Sequence, residues 1–98
     1  MEKIWFALVG LKTLKGNEMI PEHKGAYTRI ACKLSDKKEL QPFLNDIFKY
    51  YHFEVIDITD IQAEETLNLE DQENKITQEL ISEINKGRKF AWSTFHTW

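Results

Sequence analysis

The residues of this chain that could perform acid–base, metal-binding or thiolate chemistry are three histidines and one cysteine. His23, His52 and His96 are far apart and form neither an HxH nor an HExxH spacing, so the sequence predicts no zinc site. Cys32 lies on the apolar side of a predicted strand, which is typical of a small core residue. The chain has no glycine-rich phosphate loop and no GxSxG motif. We therefore predict a protein that is not an enzyme and that uses no metal or cofactor.

Aromatic residues near the C-terminus could instead bind a partner. In the last predicted strand, residues 88–98, strict alternation would place one set of side chains on one face: Phe90, Trp92, Thr94, His96 and Trp98. Tyr27 contributes a further ring from the second predicted strand. Tryptophan and tyrosine are enriched at the energetic centres of protein interfaces. We expect Tyr27, Trp92, His96 and Trp98 to form the apolar part of a partner-binding surface.

An acidic segment could supply the charged part of such a surface. Residues 50–74 contain eight Asp and Glu residues and no Lys or Arg. The helix dipole explains acids at the start of a helix, but Asp57, Asp60, Glu64 and Glu65 precede the second predicted helix. We expect these four residues to contact a basic protein. The alternative is that they only interact with solvent, as most runs of charged residues do. Their spacing fits no EF-hand loop, so a calcium site is not expected.

Residues 86–95 (KGRKFAWSTF) also resemble the RNP1 motif of RNA-recognition domains, in which alternate aromatic residues stack on bases. Lys89 and Ser93 depart from that motif, which has a glycine and an aliphatic residue at these positions. The net charge of -3 also disfavours contact with phosphates. The resemblance implies single-stranded RNA binding only as a weaker alternative, and a nucleic-acid partner is not expected.

Apolar periodicity predicts the elements that position these residues. Strands are predicted at residues 4–11, 26–34, 53–61 and 88–98. Two helices are predicted from their apolar stripes, which are Leu40, Phe43, Leu44, Ile47, Phe48 and Tyr51, and then Leu69, Ile76, Leu80, Ile81 and Ile84. Asp36 with Glu39 predicts the cap of the first helix, and Asn68 with Asp71 predicts that of the second. Gly87 is well placed to end the second helix.

These elements predict one α+β domain over residues 1–98. The chain, at 98 residues, is long enough for a single core without disulfides. The order ββαβαβ is expected to form a two-layer sandwich, with an approximately four-stranded, largely antiparallel sheet and both helices on one face. This arrangement is similar to the ferredoxin-like class in size and layering, which implies no functional residues. Residues 4–11 are apolar on both parities, a pattern typical of a strand covered on both faces.

The sequence leaves open what covers the face of the sheet that has no helices. The polar connection at residues 12–25 could fold back over it, or another protein or a second copy of the chain could pack there. A small molecule could also bind beneath the connection. The longest apolar segment, Ile4 to Leu11, is too short to cross a bilayer, so no membrane association is expected.

The function predicted from these features is that of a small, cytoplasmic, non-enzymatic protein-binding module. Its partner would be a basic protein or a second copy of the chain, forming a homodimer. Small acidic proteins that neutralise toxins, of the immunity type, are similar in gross composition, and a basic nuclease would be a natural target. The alternative is a small-molecule-binding or catalytic domain with its site under the connection at residues 12–25.

Overall fold

A computed structural model describes residues 2–66 and 75–98 as an α+β structure. The elements are β1 (Lys3–Thr13), β2 (Gly25–Leu34), α1 (Leu40–Tyr50), β3 (Phe53–Ala63), α2 (Lys75–Asn85), β4 (Phe90–Trp92) and β5 (His96–Thr97). Short 3₁₀ turns at Lys37–Glu39 and Glu64–Thr66 precede α1 and follow β3. The predicted α+β class, with two helices and a mostly antiparallel sheet, is therefore confirmed.

The sheet has the strand order β3-β1-β2-β4, and β5 pairs with β2 beyond the end of β4. Every described pairing is antiparallel. The predicted order ββαβαβ is not found, because the segment predicted as one final strand forms two short strands and the order becomes ββαβαββ. The long β1–β2 ladder, from Lys3 with Leu34 to Lys12 with Gly25, forms the centre of the sheet.

The two helices lie on opposite faces of the sheet, so the prediction that both cover one face is wrong. The α1 side chains Leu40, Leu44 and Phe48 pack against Ala7, Val9 and Leu11 and their neighbours on β2. The α2 side chains Leu80 and Ile84 pack against the other parity of the same strands, including Ile4, Phe6 and Ala31. Because successive strand residues point to opposite faces, these two sets cannot share a layer. The result is three layers, helix–sheet–helix.

The start of α1 follows the predicted capping pattern with one difference in its hydrogen bonds. The Asp36 carboxylate accepts the backbone N–H of Lys38 at 3.0 Å. The Glu39 carboxylate accepts the N–H of Ser35 at 3.1 Å, one residue earlier than a regular capping box would place it. Pro42 lies in the first turn of α1, where the N–H that proline lacks has no intrahelical partner in any case.

The second helix ends as expected, at Gly87. This glycine has φ of +100°, the left-handed conformation that terminates a helix and that residues other than glycine rarely adopt. The predicted cap residues Asn68 and Asp71, and the stripe residue Leu69, lie outside the described residues. Both described helices are eleven residues long, and neither has the length and apolar character that spanning a membrane requires.

The connection from β1 to β2 packs against the core on the α1 side. Asn17 is buried, and its amide donates to the carbonyls of Tyr51 and His52 at 3.0 and 3.2 Å. The same side chain accepts the N–H groups of Met19 and Ile20 at 3.1 and 2.9 Å. One side chain therefore joins the connection to the end of α1, on the face opposite to α2. The connection does not cover the face that α2 leaves open.

Candidate functional site

The face of the sheet that bears α2 is only partly covered by that helix. Leu80 and Ile84 pack over the end of the sheet formed by Ile4, Phe6 and Ala31. Beyond this end the same face has no described helix over it. We call this region the open half-sheet; its residues are Leu8, Gly10, Lys12, Gly25, Tyr27, Arg29, Glu54, Asp57, Thr59, His96 and Trp98.

Three of the predicted partner-binding residues lie in one row across the open half-sheet. His96 pairs with Tyr27, Tyr27 pairs with Gly10, and Gly10 pairs with Asp57. The row therefore crosses β5, β2, β1 and β3 in order. Directly paired residues in a sheet point to the same face, with their Cβ atoms about 5 Å apart. Residues from three distant parts of the sequence thus form one surface.

Tyr27 and Trp98 form the aromatic centre of this surface. Their ring centroids are 4.9 Å apart with the planes tilted by 42°. Each ring lies on a glycine: a Cβ atom at Gly10 would be 2.9 Å from Cε1 of Tyr27, and one at Gly25 would overlap the Trp98 indole. Both rings nevertheless remain exposed, Tyr27 by 39% and Trp98 by 46%. The two glycines let the aromatic rings approach the backbone of the sheet closely while both side chains stay partly exposed.

The open half-sheet has carboxylates at its β3 edge. Asp57 adjoins the Tyr27 ring, since both lie within 3.2 Å of the position that a Cβ atom of Gly10 would take. Glu54 lies opposite Lys12 in the next row but forms no ion pair with it. Within residues 2–66 and 75–98, neither Asp57 nor Glu54 has a cationic partner within salt-bridge distance. These two carboxylates are therefore available to a cation from outside.

The other three predicted acidic residues follow β3 away from the open half-sheet. Asp60 has φ of +52° at a bulge in β3 and borders a cavity of about 320 Å³ under the start of α2, together with Arg29. Glu64 and Glu65 lie in the 3₁₀ turn after β3. Glu65 forms an exposed ion pair of 2.9 Å with Lys3. The structure thus places all four acidic residues on β3 or in the turn after it, but only Asp57 shares a row with Tyr27.

Trp92 does not belong to this surface, which corrects its predicted position. Its ring packs on the α1 side, 5.5 Å from the ring of Phe48 and 5.2 Å from that of Tyr51. Trp92 pairs with Ile30, and His96 pairs with Tyr27. These two positions are four residues apart in the C-terminal segment, but their partners are only three residues apart on β2. One additional residue between β4 and β5 therefore reverses the faces of all that follow.

Hydrogen bonds from β2 hold this irregular segment in place. The Thr28 hydroxyl donates to the carbonyl of Ser93 at 3.1 Å, and the Ser93 hydroxyl accepts the backbone N–H of Arg29 at 3.2 Å. Phe95 then turns toward the α1 side, where its ring lies 5.6 Å from that of Phe53. His96 and Trp98 consequently face the opposite side from Trp92, although simple alternation predicts that all three share a face.

Gly10, Gly25 and Glu54 belong to the open half-sheet, although the sequence does not predict them as parts of a site. Gly10 did give a signal, since a glycine inside an otherwise apolar strand often marks a close approach of another group. The composition of residues 12–25 predicts that Gly25 lies in the polar connection, whereas it is paired with Lys12 and buried beneath Trp98. In the sequence, Glu54 is one of eight acids in residues 50–74, with nothing to distinguish it. Its place in the row next to Asp57 depends on the β1–β3 register.

The remaining candidate for chemistry, Cys32, is buried in the core on the α1 side. Burial raises the pKa of this thiol to about 12, with Lys89 opposing the shift, so Cys32 is a neutral thiol at physiological pH. Among the described residues, no group of three or more His, Cys, Asp or Glu side chains is arranged to hold a metal ion. The geometry is that of an exposed aromatic surface with carboxylates at its β3 edge.

Comparison of the chain with protein families, with curated proteins and with solved structures gives no match.

Proposed function

We propose that this chain is a non-enzymatic protein-binding module that acts in the cytoplasm and binds a basic protein through the open half-sheet. The observation on which the proposal depends is the exposed Tyr27–Trp98 pair with Asp57 beside it. Aromatic rings give large contact areas at low entropic cost, and adjacent carboxylates select a cationic partner. The residues that would make the contact are Tyr27, His96, Trp98 and Asp57, with Glu54 added from the structure.

The rigidity of the aromatic pair favours an interface function. The two rings rest on glycines of the two central strands, and the backbone N–H of Trp98 donates to the carbonyl of Gly25 at 3.0 Å. Their positions are therefore set before any partner arrives. A preorganised contact loses little conformational freedom on binding, which increases affinity.

The acidic edge favours a basic partner over a second copy of the chain. Asp57, Asp60 and Glu64 lie along β3 and the turn after it without an ion pair among the described residues. Such a row raises the association rate of a positively charged protein and repels an identical row. An inhibitor of a basic enzyme, of the immunity type, is the form of this function that the charge favours most.

The test is to purify the protein from an extract of its own cells through an N-terminal tag, which leaves Trp98 free. We expect a stoichiometric complex with one basic protein, identified by mass spectrometry, whose affinity is then measured by calorimetry. Trp98→Ala and Asp57→Lys should each weaken that complex at least ten-fold, about 1.4 kcal/mol. Added salt should slow its association.

The matched control is Tyr50→Ser, because Tyr50 is 78% exposed but lies on α1, away from the open half-sheet. This variant should bind the partner as the unchanged chain does. The proposal would be contradicted if the recovered partner bound Trp98→Ala, Asp57→Lys and Tyr50→Ser with the same affinity. Recovery of a homodimer alone, or of bound RNA, would also contradict it.

A further inference from the structure

The outer edge of β4 presents backbone groups that no described residue pairs with. Ser93 donates its N–H to Arg29 at 2.8 Å, and Lys89 accepts from Lys33 at 2.9 Å, so these residues of the β4 segment face β2. Alternate residues of an antiparallel strand direct their N–H and C=O groups to opposite edges. The N–H and C=O groups of Phe90 and Trp92 therefore point away from the sheet, where an additional strand could bind them.

A groove of about 790 Å³ follows this free edge. Ile76 and Leu80 of α2 line it on one face of the sheet, and Tyr51 and Trp92 line it on the other. Ile76 is 40% exposed although its side chain is apolar. A strand added here would direct its side chains alternately toward these two apolar walls.

The charge of the groove indicates what kind of segment fits. Glu79 lines the α2 wall and has no ion pair within the described part of the chain. Glu83 and Arg88 also line the groove, and they already form an ion pair of 3.4 Å with each other. The other cation of the described lining, Lys89, has its Nζ 5.7 Å from the centre of the Phe43 ring. An antiparallel β4–β4 dimer would bring two α2 helices, each with its Glu79, to the same side of the joint. That repulsion disfavours a second copy as the occupant.

We propose that the β4 edge binds an extended segment of a partner protein by strand addition. The segment has apolar side chains on both of its faces and a lysine or arginine on the face toward Glu79. Backbone hydrogen bonds to Phe90 and Trp92 give the register, and the two apolar walls give the affinity. This site is separate from the open half-sheet, because it lies at the sheet edge beyond β2 and uses different residues.

The probe for this site is the acetylated and amidated peptide Ser-Val-Lys-Val-Leu-Val-Ser, titrated into isotope-labelled full-length protein. Binding should be saturable in NMR spectra and should slow the hydrogen exchange of the Phe90 and Trp92 amides at least ten-fold. Two further peptides carry N-methyl groups on alternate residues, one on the odd and one on the even positions. Only one of them should lose binding, because only one set of amides faces β4.

Two protein variants test the walls of the groove. Glu79→Lys should weaken the peptide about three-fold, as expected for a partly exposed ion pair. Ile76→Asn should weaken it about five-fold through lost apolar contact. The control is Ile56→Asn, since Ile56 is 50% exposed but lies on β3 at the opposite edge of the sheet. That variant should bind the peptide normally.

Three results would overturn strand addition at β4. The first is the absence of saturable binding by the unmodified peptide. The second is equal binding by both N-methylated peptides, which would show contact through side chains alone. The third is a dimer of the free chain in sedimentation velocity, with the Phe90 and Trp92 amides already protected from exchange, which would make a second copy the occupant.

Discussion

The indole of Trp98 packs directly on Gly25, and no side chain at residue 25 could occupy the same space. A Cβ atom there would overlap both the Trp98 ring and the backbone carbonyl of Leu11. Gly25 pairs with Lys12 at the end of the central β1–β2 ladder, so the ring is fixed to the most extensively paired part of the sheet. The exposed aromatic surface therefore depends on a residue that carries no side chain.

Gly25→Ala is expected to destabilise the protein by about 2 kcal/mol, because a backbone carbonyl cannot move away from the new methyl group. Gly10→Ala should cost less than about 1 kcal/mol, since its closest neighbour is a side-chain atom of Tyr27, which can shift by a few tenths of an ångström, and not a backbone atom. Urea unfolding measures both changes. Equal losses in the two variants would show that the overlap with the backbone carbonyl of Leu11 is not the cause.

Trp92→Ala should mainly lower the stability of the protein, whereas Trp98→Ala should mainly remove binding of the partner. Trp92 packs on Phe48 and Tyr51, so its loss should lower the free energy of unfolding by about 2 kcal/mol and leave binding at the open half-sheet intact. Trp98 is almost half exposed, so its loss should cost under about 1 kcal/mol but remove binding. Thermal unfolding and calorimetry measure the two effects. The reverse pattern would place Trp92, not Trp98, in the interface.

Asn17→Ala should destabilise the protein by about 2 kcal/mol, because the carbonyls of Tyr51 and His52 lose their donor inside a largely buried site. The amides of Met19 and Ile20 should at the same time exchange faster with solvent, since Asn17 no longer accepts their N–H groups. Glu18→Ala is the control, because Glu18 is adjacent and exposed. Unchanged exchange in Asn17→Ala would mean that the connection is held by other contacts.

Cys32 should make the stability of the protein fall at high pH. Its pKa is raised by burial from 9.0 to about 12, so between these values the unfolded chain releases a proton that the folded protein retains. Stability from this group is therefore fully present below pH 9 and decreases as the pH rises, by about 1.4 kcal/mol per pH unit. The measurement is the difference between the unchanged protein and Cys32→Ala in urea unfolding from pH 8 to 11. A constant difference over that range would contradict a buried neutral thiol.

The same burial predicts slow alkylation of Cys32. Native protein should react with a thiol reagent at pH 8 far more slowly than urea-unfolded protein, because only the exposed thiolate is reactive. Equal rates in the two states would show that the thiol is accessible in the folded protein.

Much of the strand and helix structure was predictable, because each element has a regular apolar pattern. The predicted strand at residues 53–61 was found as Phe53–Ala63, and the stripe of the first helix places Leu40, Leu44 and Phe48 in the core. The position of α2 could also have been inferred. Residues 4–11 are apolar on both parities, and the structure covers Val9 with α1 and Phe6 with α2.

The face of each C-terminal aromatic residue was not predictable from alternation. Alternation holds only while a strand remains regular, and the additional residue between Trp92 and His96 reverses the faces of His96 and Trp98. Thr28 and Ser93 fix this irregularity through hydrogen bonds between residues 65 positions apart in the sequence. No local pattern in residues 88–98 reports such a contact.

The sequence by itself determined the α+β class, the faces of β1 and β2, the buried thiol and the concentration of acidic residues after residue 50. Each of these follows from local composition or from the spacing of apolar residues, which recur about every two residues in a strand and about every four in a helix. Only the tertiary structure decided that the helices cover opposite faces, that Trp92 turns inward, and that Tyr27, Trp98 and Asp57 form one surface on two glycines. These outcomes depend on strand register and on close packing between distant residues, and such contacts exist only once the chain has folded.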